Sequence, residues 1–326
     1  MWGSEAPPTR PGLLSGGAAF VPGLLSHGAG VFVAGDRTTG LRLLAGEGIG
    51  AALMGAGIIP LSLTRASGSS VGPALALTIA GAGLFALTWA ADLYGAVTGG
   101  RPGARAAAGT PRVEAAAGLV YVYDPQFAYR AFCVASAEGR IGPLRAAAAA
   151  DFALGQDNRR LRFHAAWRFA GGRPGDGSFL DAQAAVTWHD YGGDGFSLLT
   201  PELSLPARLD LSHIGPTLAG SFAELSLGMG VQSTTYASAP GDSDALLLVR
   251  FGFGIYVPRG EVLVYYDHRH DGFAGGLALG GHENTVLGHF GVAAEIDLVA
   301  GFGARLAFEA GSAFVGGLTL RFGALP

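Results

Sequence analysis

From about residue 113 onward the chain alternates. "RRLRFHAAWRF" (159–169) puts Leu161, Phe163, Ala165, Trp167 and Phe169 on one side, and Arg160, Arg162, His164 and Arg168 on the other. "SFAELSLGMGVQS" (221–233) sets Ala223, Leu225, Leu227, Met229 and Val231 against Glu224, Ser226, Gly228, Gly230 and Gln232. "DALLLVRFGFGIYV" (244–257) and "FVGGLTLRF" (314–322) do the same. A period of two places successive side chains on opposite faces of a β-strand. Repetition over some 210 residues leaves few architectures open.

Two folds produce this pattern. A soluble sandwich buries its apolar faces and wets its charged ones. A transmembrane barrel turns the apolar faces to lipid and the polar ones to its lumen. Three features favour the barrel. The alternation holds over nine to thirteen residues in each stretch, longer than ordinary strands and long enough to cross a bilayer. Their polar faces are rich in Gly, Ala and Ser, as a crowded interior requires. Aromatic residues gather near the strand ends, where Tyr121, Tyr123, Trp188, Tyr191, Tyr256, Tyr265 and Tyr266 suit interfacial girdles. The expectation is a mainly β fold, an antiparallel transmembrane barrel of about twelve strands over residues 113–326.

Residues 1–97 have a different period. "LRLLAGEGIGAALMGAGIIPLSLT" (41–64) and "GPALALTIAGAGLFALTWAADLYGAV" (72–97) are each long and apolar enough for a bilayer-spanning helix. The polar "RASGSS" separates them. Gly46, Gly50, Gly81 and Gly83 supply the small surfaces that let helix backbones approach. The alternative is a buried hairpin in a soluble core. Residues 98–112, rich in Gly, Pro and Arg, read as a linker.

Composition narrows function by exclusion. The 326 residues include 55 Gly, and mean hydropathy is +0.36. All 21 basic residues are Arg, and a net charge of −4 gives no basic face for nucleic acid. The single cysteine, Cys133, excludes an internal disulfide and a cysteine-based zinc site. No Gly-rich loop leads into a basic residue as a phosphate cradle would, and no cofactor is expected. The opening "MWGSEAPPTRPG" lacks the basic-then-apolar pattern of a secretory leader.

The densest chemistry lies in "YYDHRHDGFAGG" (265–276), directly after the apolar "EVLVYY". Alternation puts Tyr266, His268 and His270 on the outward face, and Tyr265, Asp267, Arg269 and Asp271 on the inward one. The plain reading is a strand leaving the bilayer, with solvated histidines on the outer wall and Asp267 and Arg269 at the lumen rim. A second reading is a metal site, because His268 and His270 project together and His282, Glu283 and His289 follow. Inside the barrel, Arg160, Arg162, Arg168, Arg250, Arg305 and Arg321 are expected to meet Asp181, Glu224, Glu295, Asp297 and Glu309, either filling the lumen or lining a narrow pore.

Three resemblances add to this. "PGLLSHGAGVFVAGDRTTG" (22–40) is similar to the lead-in of small two-helix membrane domains, through Pro22, Gly23, Gly28, Gly30, Phe32, Gly35 and Gly40. "YDHRHDGFAGGL" loosely resembles the His-x-Ser-Asn-Ala-Gly strand of outer-membrane lipid A deacylases. That likeness implies His268 as a general base acting on membrane lipid. His270 and Asp271 hold the family's Ser and Asn places, so a nucleophile would come from elsewhere, such as Ser221 near Glu224. The whole chain resembles outer-membrane barrels of high-GC delta-type proteobacteria, and Phe322 stands where such barrels carry a terminal aromatic. These likenesses imply a bacterial outer-membrane protein with the lipid bilayer as partner, and lipopolysaccharide or small solutes as ligands. An apolar helical hairpin must then pass the inner membrane, and its Ala- and Gly-rich helices with Glu47 and Asp92 are mild enough for that. The leading expectation is a non-enzymatic structural barrel or small-solute pore. The alternatives are a membrane-lipid hydrolase using His268 and a metal-binding surface protein.

Overall fold

In the computed structural model, which describes residues 12–65, 71–101, 111–124, 130–172, 175–269, 272–278 and 286–324, the alternating stretches form a closed antiparallel barrel. Its twelve strands are β1 (Val113–Tyr123), β2 (Ala131–Ile141), β3 (Leu144–Ala153), β4 (Arg159–Gly171), β5 (Phe179–Tyr191), β6 (Phe196–Asp210), β7 (Ser221–Tyr236), β8 (Asp242–Val257), β9 (Gly260–Asp267), β12 (His289–Val299), β13 (Phe302–Ala310) and β14 (Phe314–Ala324). Each pairs with its sequence neighbour, β9 pairs with β12, and β1 closes the ring on β14 from Val113↔Ala324 to Tyr123↔Phe314. Closure leaves no unpaired edge. The short strands β10 (Leu277–Ala278) and β11 (Val286–Leu287) pair with each other outside the ring.

Burial follows the period of two. Along β1 the odd positions from Val113 to Tyr123 are exposed and the even ones partly or fully buried. Phe163, Trp167, Phe169, Met229, Leu318 and Phe322, all on the apolar faces, are 49–70% exposed. Their neighbours in sequence point inward and carry the charge. Large apolar side chains over an entire outer wall far exceed the exposed patches that water-soluble monomers tolerate. The crowded interior needs glycine opposite its aromatics: a Cβ on Gly254 would collide with the Phe222 ring, and one on Gly291 with the Tyr265 ring.

Those interior rings correct part of the girdle expectation. Tyr121 and Tyr123 stand exposed at the end of β1. Tyr256 instead packs on inward Phe222 at 4.9 Å, Tyr265 donates to Glu309 at 2.6 Å, and Tyr191 stacks on inward His189 at 3.9 Å. These three hydroxyphenyl groups serve the interior.

The chain forms two compact units, one of residues 1–106, 208–225 and 251–258, the other of 107–207, 226–250 and 259–326. The first holds α1 (Leu13–Phe20), α2 (Ala29–Val33), α3 (Arg37–Leu63) and α4 (Val71–Thr98). Asp36 caps α3 by accepting from the Thr39 N–H at 3.0 Å, and α4 stops at Gly99 and Gly100, both at positive φ. Both long helices are apolar enough to cross a membrane. They meet along a glycine seam: a Cβ on Gly50 would lie 2.9 Å from Gly81 O, and one on Gly81 would lie 2.5 Å from Met54 N. Fully buried Asp92 accepts from the Gly30 and Val31 N–H groups at 3.1 and 2.9 Å, fixing the start of α2 against α4. Much of the linker, residues 102–110, lies outside the described residues.

Candidate functional site: the barrel lumen and its inserted loop

The connection from β9 to β12 spans residues 268–288 and is the longest in the barrel. Its described part folds inward. Asp267 accepts from the Arg269 N–H at 3.0 Å, which turns the chain as the strand ends. Phe273 then packs its ring 4.5 Å from Phe132 of β2 and 5.3 Å from His189 of β5, with the Arg160 guanidinium 5.4 Å above it. Ala274 is fully buried beside Val122, Phe132, Ala313 and Val315, and its carbonyl accepts from the Ala313 N–H at 3.1 Å. Val122, Phe132 and Val315 all lie on inward faces. An apolar plug therefore occupies this mouth of the barrel, against the wall formed by β14, β1 and β2.

Across the plug runs a charged bridge. Glu202 of β6 receives two parallel bonds from Arg162 of β4, at 3.1 and 2.9 Å, and pairs with Arg269 of the inserted loop. Its side chain is 4% exposed, and those of Arg162 and Arg269 are 22% and 16% exposed. One buried carboxylate thus ties two wall strands' worth of charge to the loop. His289 Nδ1 lies 3.1 Å from the Arg269 carbonyl oxygen and holds the same turn from β12.

The remaining lumen charges form separate groups. Arg168 binds Asp181 through two bonds, at 2.9 and 3.2 Å, with Arg145 at 3.7 Å. Arg321 reaches Glu295 at 3.0 Å and Asp297 at 3.1 Å, and Arg305 lies 3.6 Å from Glu295. Glu224 pairs with Arg208, whose guanidinium lies 4.1 Å over the Phe222 ring. Arg250 stacks 4.1 Å over the Tyr265 ring, and Tyr265 bonds Glu309. Glu138 lies 2.6 Å from Arg140 and Glu114 3.9 Å from Arg321; alternation alone names most of these lumen residues but not Glu202, Arg208, Arg145, Glu138 or Glu114. Glu202 was visible in the polar face Thr200, Glu202, Ser204, Arg208 and Asp210 of β6, obscured by Pro201 and Pro206.

The walls differ in sign. Among the described residues, the inward faces of β2–β5 carry five arginines (140, 145, 160, 162, 168) and three carboxylates (138, 151, 181). The inward faces of β9, β12–β14 and β1 carry six carboxylates (261, 267, 295, 297, 309, 114) and two arginines (305, 321). A field therefore runs across the lumen, from the β2–β5 wall toward the opposite one.

The histidine motif departs from its sequence reading. His268 is buried, at 6% exposure, and is not a solvated group on the outer wall. Its backbone N–H donates to Val249 O at 2.8 Å and its Nδ1 is hydrogen-bonded to the Tyr266 hydroxyl at 3.0 Å. That hydroxyl in turn accepts from the Gly288 N–H at 3.0 Å. The cause is the returning chain at Gly288, which covers the strand end. His270, Asp271, His282 and Glu283 lie outside the described residues. Among the described residues no group of three His, Cys, Asp or Glu side chains is placed to hold a metal ion. Ser221 is fully buried and donates to Leu218 O at 2.8 Å. Glu224, three residues on, faces the other side of the strand and is paired with Arg208. The Ser221–Glu224 pair has no shared reaction geometry.

No protein-family profile matches the sequence, and no curated protein matches it significantly. Solved structures resemble it weakly. Omp33, an outer-membrane protein of Acinetobacter baumannii, is 9% identical over 66% of this chain and 98% of its own, with a TM-score of 0.35. The translocator domain of the autotransporter NalP of Neisseria meningitidis is 12% identical over 66% and 88%, at 0.37. The Pseudomonas putida toluene transporter TodX is 7% identical over 68% and 91%, at 0.35. All three are bacterial membrane barrels. Likenesses this slight carry no argument about activity, which has to come from the chain's own residues.

Proposed function

We propose that the chain is a bacterial outer-membrane β-barrel whose lumen, narrowed at one mouth by the inserted loop, passes small polar solutes. The observation that carries this reading is the separation of faces: an apolar outer wall over a closed ring, and an interior of paired and unpaired charges. An interior built only to be filled would pair its charges fully. Here, among the described residues, Arg160 and Arg250 meet aromatic rings, are half-buried and have no carboxylate within ion-pair distance, so their charges are left to lumen water or a passing anion. The lipid bilayer is the partner of the outer wall, and β1–β9 and β12–β14 are the spanning elements.

The test is planar-bilayer recording of the purified, reconstituted full chain. Wild type is expected to give small, discrete conductance steps, and Phe273→Ala larger ones, because Phe273 fills the mouth. A chain that conducts in neither form, while still running as a folded heat-modifiable barrel on gels, is a sealed structural barrel and not a pore.

A further inference from the structure

At the barrel end that carries the two-residue turn 142–143 and Gly171 and Gly172 lies a cavity of about 460 Å³. Four guanidiniums line it, those of Arg112, Arg140, Arg145 and Arg168, and one carboxylate, Asp181. Asp181 is already engaged by both Nε and Nη2 of Arg168 and lies 3.7 Å from Arg145. Arg140 and Arg145 share Glu138 of β2, at 2.6 and 3.9 Å. Two carboxylates therefore serve three arginines. Arg112 has no carboxylate partner among the described residues, and the buried Nε–H of Arg145 finds no acceptor there. With Glu138 and Asp181 counted against the four arginines, the cavity holds an excess of about two positive charges.

We infer that this cavity is a binding site for a small soluble oxyanion carrying two or more negative charges. Guanidinium groups present paired N–H donors that match phosphate and carboxylate oxygens. A volume of about 460 Å³ is the size of an ordinary small-molecule site. Arg140, Arg145, Arg168 and Asp181 all belong to inward strand faces, so the occupant is a solute of the lumen and not a lipid headgroup on the outer wall. Exposed Arg112 supplies the charge that the protein leaves open, while Arg168 and Asp181 are held by each other. Conduction is not required for this site to fill.

The experiment is calorimetric titration of pyrophosphate into the detergent-solubilised full chain, at two salt concentrations. Saturable, salt-weakened binding is expected. Arg112→Ala should weaken it at least fivefold and Arg112→Glu should abolish it, both without loss of the heat-modifiable folded form, because Arg112 pairs with no carboxylate among the described residues. Arg159→Ala, which removes an outward charge paired with Asp190, should bind as wild type does. No binding by wild type, equal binding by both Arg112 variants, or equal loss in Arg159→Ala would each overturn the inference. So would displacement of pyrophosphate by phosphatidylglycerol doped into the micelles, since that places the occupant on the lipid side. Binding without bilayer conductance keeps the site and removes the pore; conductance without binding does the reverse.

Discussion

Glu202→Ala is the most informative single change in the barrel. It removes the carboxylate shared by the guanidiniums of Arg162 and Arg269 and leaves Arg162 with the Thr187 hydroxyl at 3.2 Å. Breaking a buried ion pair from one side usually costs 3–5 kcal/mol. Both arginines keep some access to lumen water, at 22% and 16% exposure, so part of that penalty is relieved and about 2–3 kcal/mol is the reasoned loss. Urea unfolding of the detergent-solubilised protein measures it, and a cycle with Arg269→Gln isolates the coupling, expected at about 1–2 kcal/mol because the groups touch. Released from Glu202, the inserted loop should also open more often, raising bilayer conductance. A loss within about 0.5 kcal/mol, the range of an ordinary surface change, would show that the bridge is not formed and that the loop does not lie across the mouth.

Other changes test other parts of the account. Phe273→Ala should cost about 2–3 kcal/mol by urea unfolding, somewhat less than a deep core phenylalanine, because the ring packs on Phe132 and His189. His268→Ala should cost about 1–2 kcal/mol through the lost bond to Tyr266 and its burial; indifference of the unfolding midpoint would return His268 to the solvated surface. In the helical unit, Gly81→Ala drives a methyl into the α3 backbone and should destabilise by about 2 kcal/mol, as overpacking does. Gly55→Ala, with open space at its Cβ, should stabilise by up to about 1 kcal/mol through helix propensity. Thermal unfolding followed at a helical dichroism band compares the two, and equal shifts would deny the glycine seam.

The barrel was legible wherever large apolar residues alternate with charged ones, as in β4, β7, β8 and β14. It was faint where contrast vanishes. Strand β3 contains five consecutive alanines, 146–150, so its two faces look alike in sequence although they pair regularly with β2 and β4. The inward positions of Arg162, Arg168 and Asp181 followed from period alone, but their partners did not. Arg162 finds Glu202 two strands away, a contact set by strand register and barrel curvature. The histidine motif misled for a similar reason. The burial of His268 goes with Gly288 bonding the Tyr266 hydroxyl over the strand end, a contact that alternation does not encode.

The central claim is that the outer wall faces lipid and the inner wall faces water. Cys133, on the outward face of β2, is the chain's natural starting point for testing it. Nitroxide labels placed one at a time along residues 131–141 of the lipid-reconstituted protein, in a Cys133→Ser background for the other positions, report oxygen and water-soluble nickel access by electron paramagnetic resonance. The account predicts a period of two, with labels at 133, 135 and 137 favouring oxygen and those at 134, 136 and 138 favouring nickel. The opposite phase, or a period near 3.6, would contradict it.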